Sequence, residues 1–112
     1  GELTSLRRLA IAGTELTGWI PSEVGNLTAL TDMRMNTVPL DGPLPSTLGM
    51  LTELLSLEIG STSVSGAIPT EVGELTKMTN LLFNNNKLDL PIPSTIGDMV
   101  GLRSIGLSNN RI

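Results

Sequence analysis

The chain has no cysteine, no histidine and no tyrosine, and its only aromatic residues are one tryptophan and one phenylalanine. Each absence removes a class of function. Without cysteine there are no disulfides and no thiolate metal sites, and the redox compartment stays undecided. Without histidine the usual metal ligand and the usual general base near neutral pH are missing. The carboxylates are scattered, with no paired environment that would tune one of them upward for acid catalysis. No enzyme is therefore expected: no catalytic residue, no metal site and no cofactor. Charge is thin as well, seven basic against eleven acidic residues for a net −4, and no basic stripe tracks a phosphate backbone, which disfavours nucleic acid. No unbroken apolar run approaches the roughly 20 residues of a membrane helix.

What the chain does have is repetition. Glycine recurs at Gly1, Gly25, Gly49, Gly73 and Gly97, a step of 24 residues without insertion or deletion. In phase with it run Ile20 and Pro21, Leu44 and Pro45, Ile68 and Pro69, Ile92 and Pro93. A fixed period in this range marks a solenoid, in which no unit buries its own apolar face and neighbours must stack. The units are 1–24, 25–48, 49–72, 73–96 and a partial 97–112, forming one repeat domain. Neither end has the polar, atypical look of a capping repeat: Gly1 begins in consensus and Ile112 falls partway through a unit. The expectation is a piece of a longer array, with further repeats or a partner chain at both ends.

Within a unit the apolar positions change period. In the second unit they are Leu27, Leu30, Met33, Met35, Leu40, Leu44 and Leu48. The spacing of two at Met33 and Met35 fits a short strand, while spacings of three and four fit turns and irregular helix. Each unit therefore supplies one brief strand, centred on Leu9–Ile11, Met33–Met35, Leu57–Ile59, Leu81–Phe83 and Ile105–Leu107. Stacked, these make one parallel sheet with strands about 4.8 Å apart. Phe83 shares the inward column of Ile11, Met35, Ile59 and Leu107, so it belongs to the core.

The motif L-x-x-L-x-x-L-x-L-x-x-N-x-L-x-G-x-I-P-x-x-L-G runs through the whole chain, most closely over Leu3 to Gly25 and Leu51 to Gly73. In this the chain resembles the plant-type leucine-rich repeat, whose G-x-I-P segment and 24-residue period separate it from other leucine-rich repeats. The resemblance implies an α/β solenoid, a curved superhelix with one parallel β-sheet on its concave face. It also implies the settings of that family: receptor-like kinase and receptor-like protein ectodomains, and polygalacturonase-inhibitor-type proteins. An extracellular or cell-surface place follows from the resemblance, with an intracellular or organellar one as the alternative.

Two columns depart from the motif. The asparagine position holds Thr14, Val38, Thr62, Asn86 and Asn110. The resemblance implies that this side chain bonds backbone groups of adjacent turns in a ladder. Valine has no polar atom to offer, so the amides near Val38 need another partner. The glycine position of G-x-I-P holds Gly18, Gly42, Gly66 and then Leu90, which with Pro91 predicts a different loop and an extra apolar side chain on the flank.

The outward positions of the strands define the candidate binding surface: Arg8, Asp32, Arg34, Asn36, Glu58, Asn80 and Asn84. Neighbours in one column pair laterally, which places Arg8 beside Asp32 and Arg34 beside Glu58. The face lacks the aromatic anchors of a typical interface centre. Trp19 lies instead on the flank, either over Pro43 of the next unit or free as an aromatic contact. Asn26, Leu27 and Thr28 form the one N-glycosylation sequon, conditional on secretion. The column Thr4, Thr28, Thr52 and Thr76 would suit ordered water, but it ends at Val100, so ice binding has little weight. The function these features suggest is a recognition scaffold for a protein, peptide or glycan, working through the concave strand face. The alternative is a structural subunit that docks through its flank and uncapped ends.

Overall fold

The computed structural model describes residues 5–15, 17–89 and 91–112. Among them, five strands form one parallel sheet: β1 (Arg8–Ala12), β2 (Asp32–Asn36), β3 (Ser56–Glu58), β5 (Asn80–Leu82) and β7 (Ser104–Gly106). Every strand pairs with its neighbour one period away, Leu9 with Met33, Met33 with Leu57, Leu57 with Leu81 and Leu81 with Ile105. All five strands fall where the alternation of apolar residues places them.

The single strand per unit needs an addition. A second, two-stranded parallel sheet joins β4 (Ser65–Gly66) to β6 (Lys87–Leu88), and isolated bridges between Gly18 and Leu40 and between Pro43 and Ser65 extend the same line. It is held by backbone bonds such as Asp41 N–H to the Gly18 carbonyl at 2.8 Å and Ser65 N–H to the Gly42 carbonyl at 2.9 Å. Gly18, Gly42 and Gly66 have φ of +95°, +70° and +77°, the left-handed region open to glycine, and this turns the chain onto the flank. A two-residue strand is too short to leave a periodic signal in the sequence.

The third side of each unit is a 3₁₀ turn, at Ser22–Asn26, Ser46–Met50, Thr70–Glu74 and Ser94–Asp98. Each follows the proline of the repeated pair; Pro21, Pro45, Pro69 and Pro93 hold φ between −60° and −74° and stop the extended segment there. The recurring glycine then has a steric reason. A Cβ on Gly25, Gly49 or Gly73 would lie 2.8, 2.6 or 2.5 Å from the carbonyl oxygen of Thr47, Glu71 or Thr95 in the following unit. Only glycine lets adjacent 3₁₀ turns approach this closely.

Between sheet and 3₁₀ turns lies a continuous apolar core. Leu30, Met33, Leu48, Leu51, Leu54, Leu57, Leu75, Met78 and Leu81 are fully buried, and Phe83 is 1 % exposed. Burial weakens toward both ends of the stack: Leu9 and Ile11 in the first unit are only partly covered, and Ile92 late in the fourth unit and Ile105 in the fifth are exposed. This is the gradient expected of a stack in which each unit is buried by its neighbours. The altered loop expected at Leu90 lies outside the described residues, as do Leu3, Thr4 and Leu16.

Candidate functional site

The strand face carries the seven candidate residues in register. Arg8 Nε stands 3.7 Å from Asp32 Oδ2, and Arg34 Nε stands 3.7 Å from Glu58 Oε2. That distance is too long for a hydrogen bond, so each contact is a loose ion pair, worth at most about 1 kcal/mol at an exposed site. The two members of each pair are unequally placed. The Arg8 and Arg34 side chains are 85 % and 58 % exposed, against 28 % and 31 % for Asp32 and Glu58. The carboxylates also have closer partners: Asn36 Nδ2 donates to Glu58 Oε1 at 3.1 Å, and the one proton of Thr31 Oγ1 is shared between Asp32 Oδ2 and the Arg7 carbonyl oxygen, each at 3.1 Å. The acids are thus held by the scaffold while the guanidinium groups stay available. Between the two arginines, over the small side chain of Ala10, the surface dips into a hollow of about 250 Å³.

The asparagines divide their duties. Asn36 Oδ1 accepts from Gly60 N–H at 2.8 Å, and Asn84 Oδ1 accepts from both the amide and the hydroxyl of Ser108 at 3.0 Å. Each caps a backbone amide beyond a strand end; Asn36 uses both halves of its side chain within the scaffold, since its Nδ2 donates to Glu58, whereas Asn84 uses its oxygen. Asn80 is half-buried between Ser56 and Ser104 of the adjoining strands. A second hollow of about 200 Å³ opens beside Gly60.

Behind the sheet runs the polar ladder. Asn86 Nδ2 donates to the carbonyls of Ile59 at 2.7 Å and Phe83 at 3.1 Å; Asn110 Nδ2 donates to those of Phe83 at 2.8 Å and Leu107 at 3.0 Å. Thr62 joins it with one hydroxyl, which donates to Asn86 Oδ1 and accepts from Val64 N–H at 3.3 Å.

One recurring position has no clear mark in the sequence. A residue shortly beyond each strand, at the same place in every unit, adopts a left-handed conformation, with φ from +55° to +60° at Gly13, Thr37, Ser61, Asn85 and Asn109. Glycine and asparagine tolerate this region well, and their recurrence at Gly13, Asn85 and Asn109 is the one signal for it. Threonine at Thr37 is the strained member.

On the flank, Trp19 is 69 % exposed, and a Cβ on Gly42 of the next unit would come 3.2 Å from its own Cβ. Asn26 is exposed at the end of its 3₁₀ turn, and Thr28 is exposed two residues on. The threonine column is interrupted by Val100, 90 % exposed, and is bordered by the ion pair of Lys77 with Glu53 at 2.8 Å.

Comparison with known proteins turns on this geometry. No protein-family model matches the sequence, and no curated protein does. Solved structures do. The plant peptide hormone receptor RGFR1, solved in complex with RGF2, is 34 % identical with a TM-score of 0.94, over 97 % of this chain and 18 % of the receptor chain. The leucine-rich-repeat ectodomain of the Arabidopsis thaliana membrane receptor kinase GASSHO1/SCHENGEN3 is 34 % identical with a TM-score of 0.85, over 87 % of this chain and 12 % of its own. The chain is a plant-type leucine-rich-repeat protein. Its solenoid places the five-stranded sheet, and with it the seven candidate residues, on the concave face. A plant ice-binding protein shares the leucine-rich-repeat fold, at 31 % identity and a TM-score of 0.88, over 94 % of this chain and 34 % of that one. The chain thus spans under a fifth of each of the two receptor chains and about a third of the ice-binding protein.

Proposed function

We propose that this leucine-rich-repeat segment is a non-catalytic recognition scaffold, binding a protein, peptide or glycan through its concave strand face as part of a larger extracellular or cell-surface protein. The observation that carries the reading is the imbalance within the two ion pairs. Glu58 keeps the Asn36 amide as a partner, so a ligand can engage Arg34 without leaving that carboxylate unpartnered, while Asp32 shares the one Thr31 proton with the Arg7 carbonyl oxygen. Parallel strands hold these side chains in register, and polar groups on a rigid sheet lose little entropy on binding. The solved structures add support: RGFR1 is a plant peptide hormone receptor, and the GASSHO1/SCHENGEN3 structure is the ectodomain of a membrane receptor kinase. Asn36, Asn80 and Asn84 extend the surface along the stack. If the parent protein is secreted, Asn26 is an accessible glycosylation site. With no aromatic anchor on the face, the segment alone binds weakly and a longer array binds better.

The test is charge reversal in the full-length protein. Arg34→Glu should weaken ligand binding at least tenfold while the circular dichroism spectrum stays unchanged. A second reading, docking through the flank, rests on the exposure of Trp19. Unchanged affinity in Arg34→Glu together with loss in Trp19→Ala would replace the first reading with the second.

A further inference from the structure

We infer that the hollow beside Gly60 is a seat for a single uncharged sugar ring, a deepening that rests on the strand face being the binding surface. Gly60 is the key to it. Its φ lies outside the left-handed region, so the backbone does not require glycine there. What glycine provides is room, since a Cβ would stand 3.1 Å from Asn36 Oδ1 and 3.4 Å from the Asn84 carbonyl oxygen. The space left is about 200 Å³, walled by Glu58, Ser61, Leu82 and Asn85 as well as Asn36. That is below the roughly 300–1,000 Å³ of pockets for drug-sized ligands and suits one ring or one side chain.

The chemistry of the walls selects among candidates of that size. Glu58 is the one ionised group among these residues, and Arg34 Nε already faces it at 3.7 Å. An anionic group would meet the Glu58 carboxylate, and a cation would have to compete with Arg34 for it. A neutral group meets neither obstacle. Glu58 offers acceptor oxygens, and Asn85 keeps its amide N–H donors because its Oδ1 is the atom accepting from Asn109 Nδ2 at 2.6 Å. The Ser61 hydroxyl is exposed and can donate or accept. Leu82, half-buried, supplies an apolar wall. Sugar hydroxyls both donate and accept, and a sugar ring also has a C–H face, so mixed donors and acceptors beside an aliphatic wall match a pyranose better than a purely polar or purely apolar side chain. Without an aromatic platform a lone ring should bind only at about millimolar concentration.

The full chain, labelled with nitrogen-15, can be titrated with methyl glucopyranoside, a cello-oligosaccharide and a peptide carrying one O-linked hexose, with glucuronate and glucosamine as charged controls. Saturable shifts of the Gly60, Ser61, Leu82 and Asn85 amides with the neutral probes, at least tenfold weaker in Gly60→Ala, would support the seat. Glu58→Gln keeps the side-chain volume and should weaken the response about fivefold, which covers the case of a Gly60→Ala chain that does not fold. A stronger response to the free oligosaccharide assigns the ring to a glycan; a stronger response to the glycopeptide assigns it to a modified peptide. A preference for either charged sugar, or no shift at these amides with any neutral probe, overturns the seat. Should the seat be overturned in this way while Arg34→Glu in the full-length protein still weakens ligand binding, only the sugar is removed and the strand-face reading stands.

Discussion

The Leu40 amide donates to the Val38 carbonyl at 2.7 Å, a three-residue turn centred on Pro39. Two units along the solenoid the equivalent amide, Leu88, donates instead to Asn110 Oδ1 at 3.1 Å. The ladder residue that corresponds to Asn110 for Leu40 is Thr62, whose hydroxyl is engaged by Asn86 Oδ1 and the Val64 amide, so here the backbone closes on itself and the Leu40 amide is satisfied without a side chain. Val38→Asn keeps that turn and adds an amide that can reach the carbonyls its counterparts use. We expect it to be neutral or stabilising by up to about 1 kcal/mol, the net worth of a buried hydrogen bond. Denaturant midpoints measure this, and a loss above about 1 kcal/mol would show that the site has no room for the ladder.

Thr37 has φ +55° and a β-branched side chain, a combination that costs of order 1–3 kcal/mol. It is exposed, so little packing is lost by replacing it. Thr37→Gly and Thr37→Asn should each raise stability by about 0.5–1 kcal/mol, read as a higher melting temperature. A drop in both would mean that the Thr37 hydroxyl bond to the Asn36 carbonyl matters more than the strain it accompanies.

Two glycines at the same place in their units should respond unequally to a methyl group. A Cβ on Gly49 would sit 2.6 Å from the Glu71 carbonyl oxygen, whereas a Cβ on Gly97 meets nothing within 4 Å. Gly49→Ala should destabilise by about 1–3 kcal/mol, the usual cost of overpacking. In the 112-residue chain Gly97→Ala should change stability by less than about 0.5 kcal/mol. Equal effects in chemical denaturation would show that close approach of the 3₁₀ turns is not what the glycine serves.

Phe83 is the largest fully buried side chain, and Asn86 and Asn110 both bond its carbonyl. Phe83→Ala should cost about 3–5 kcal/mol, in the range of large-to-small core changes. A cost below about 1 kcal/mol would indicate that the surrounding leucines collapse into the space.

How far the sequence could be read depended on the length of each signal. Pairs such as Met33 and Met35, repeated once per period, located all five strands and the inward position of Phe83, because stacking forces every unit to repeat its buried column. The ion pairs of Arg8 with Asp32 and Arg34 with Glu58 were legible for the same reason. What stayed hidden is set by local dihedral angles. The β4–β6 sheet is only two residues deep, and the left-handed position at Thr37 and Ser61 carries residues that do not announce it. The hollow at Gly60 was also out of reach, since a glycine kept for room and a glycine kept for conformation are the same letter.

The bonds that join the units reach one period along the chain, from Thr31 to Arg7, Leu55 to Thr31, Thr79 to Leu55 and Arg103 to Thr79. Tension applied to the two ends of such a stack loads its outermost rung first, because no bond of this set bridges a unit to skip its neighbour. The protein should therefore peel from an end in steps, each releasing roughly 80 Å of extended chain for one unit. In a force-extension trace it would behave as a ratcheted spring with a sawtooth of even spacing.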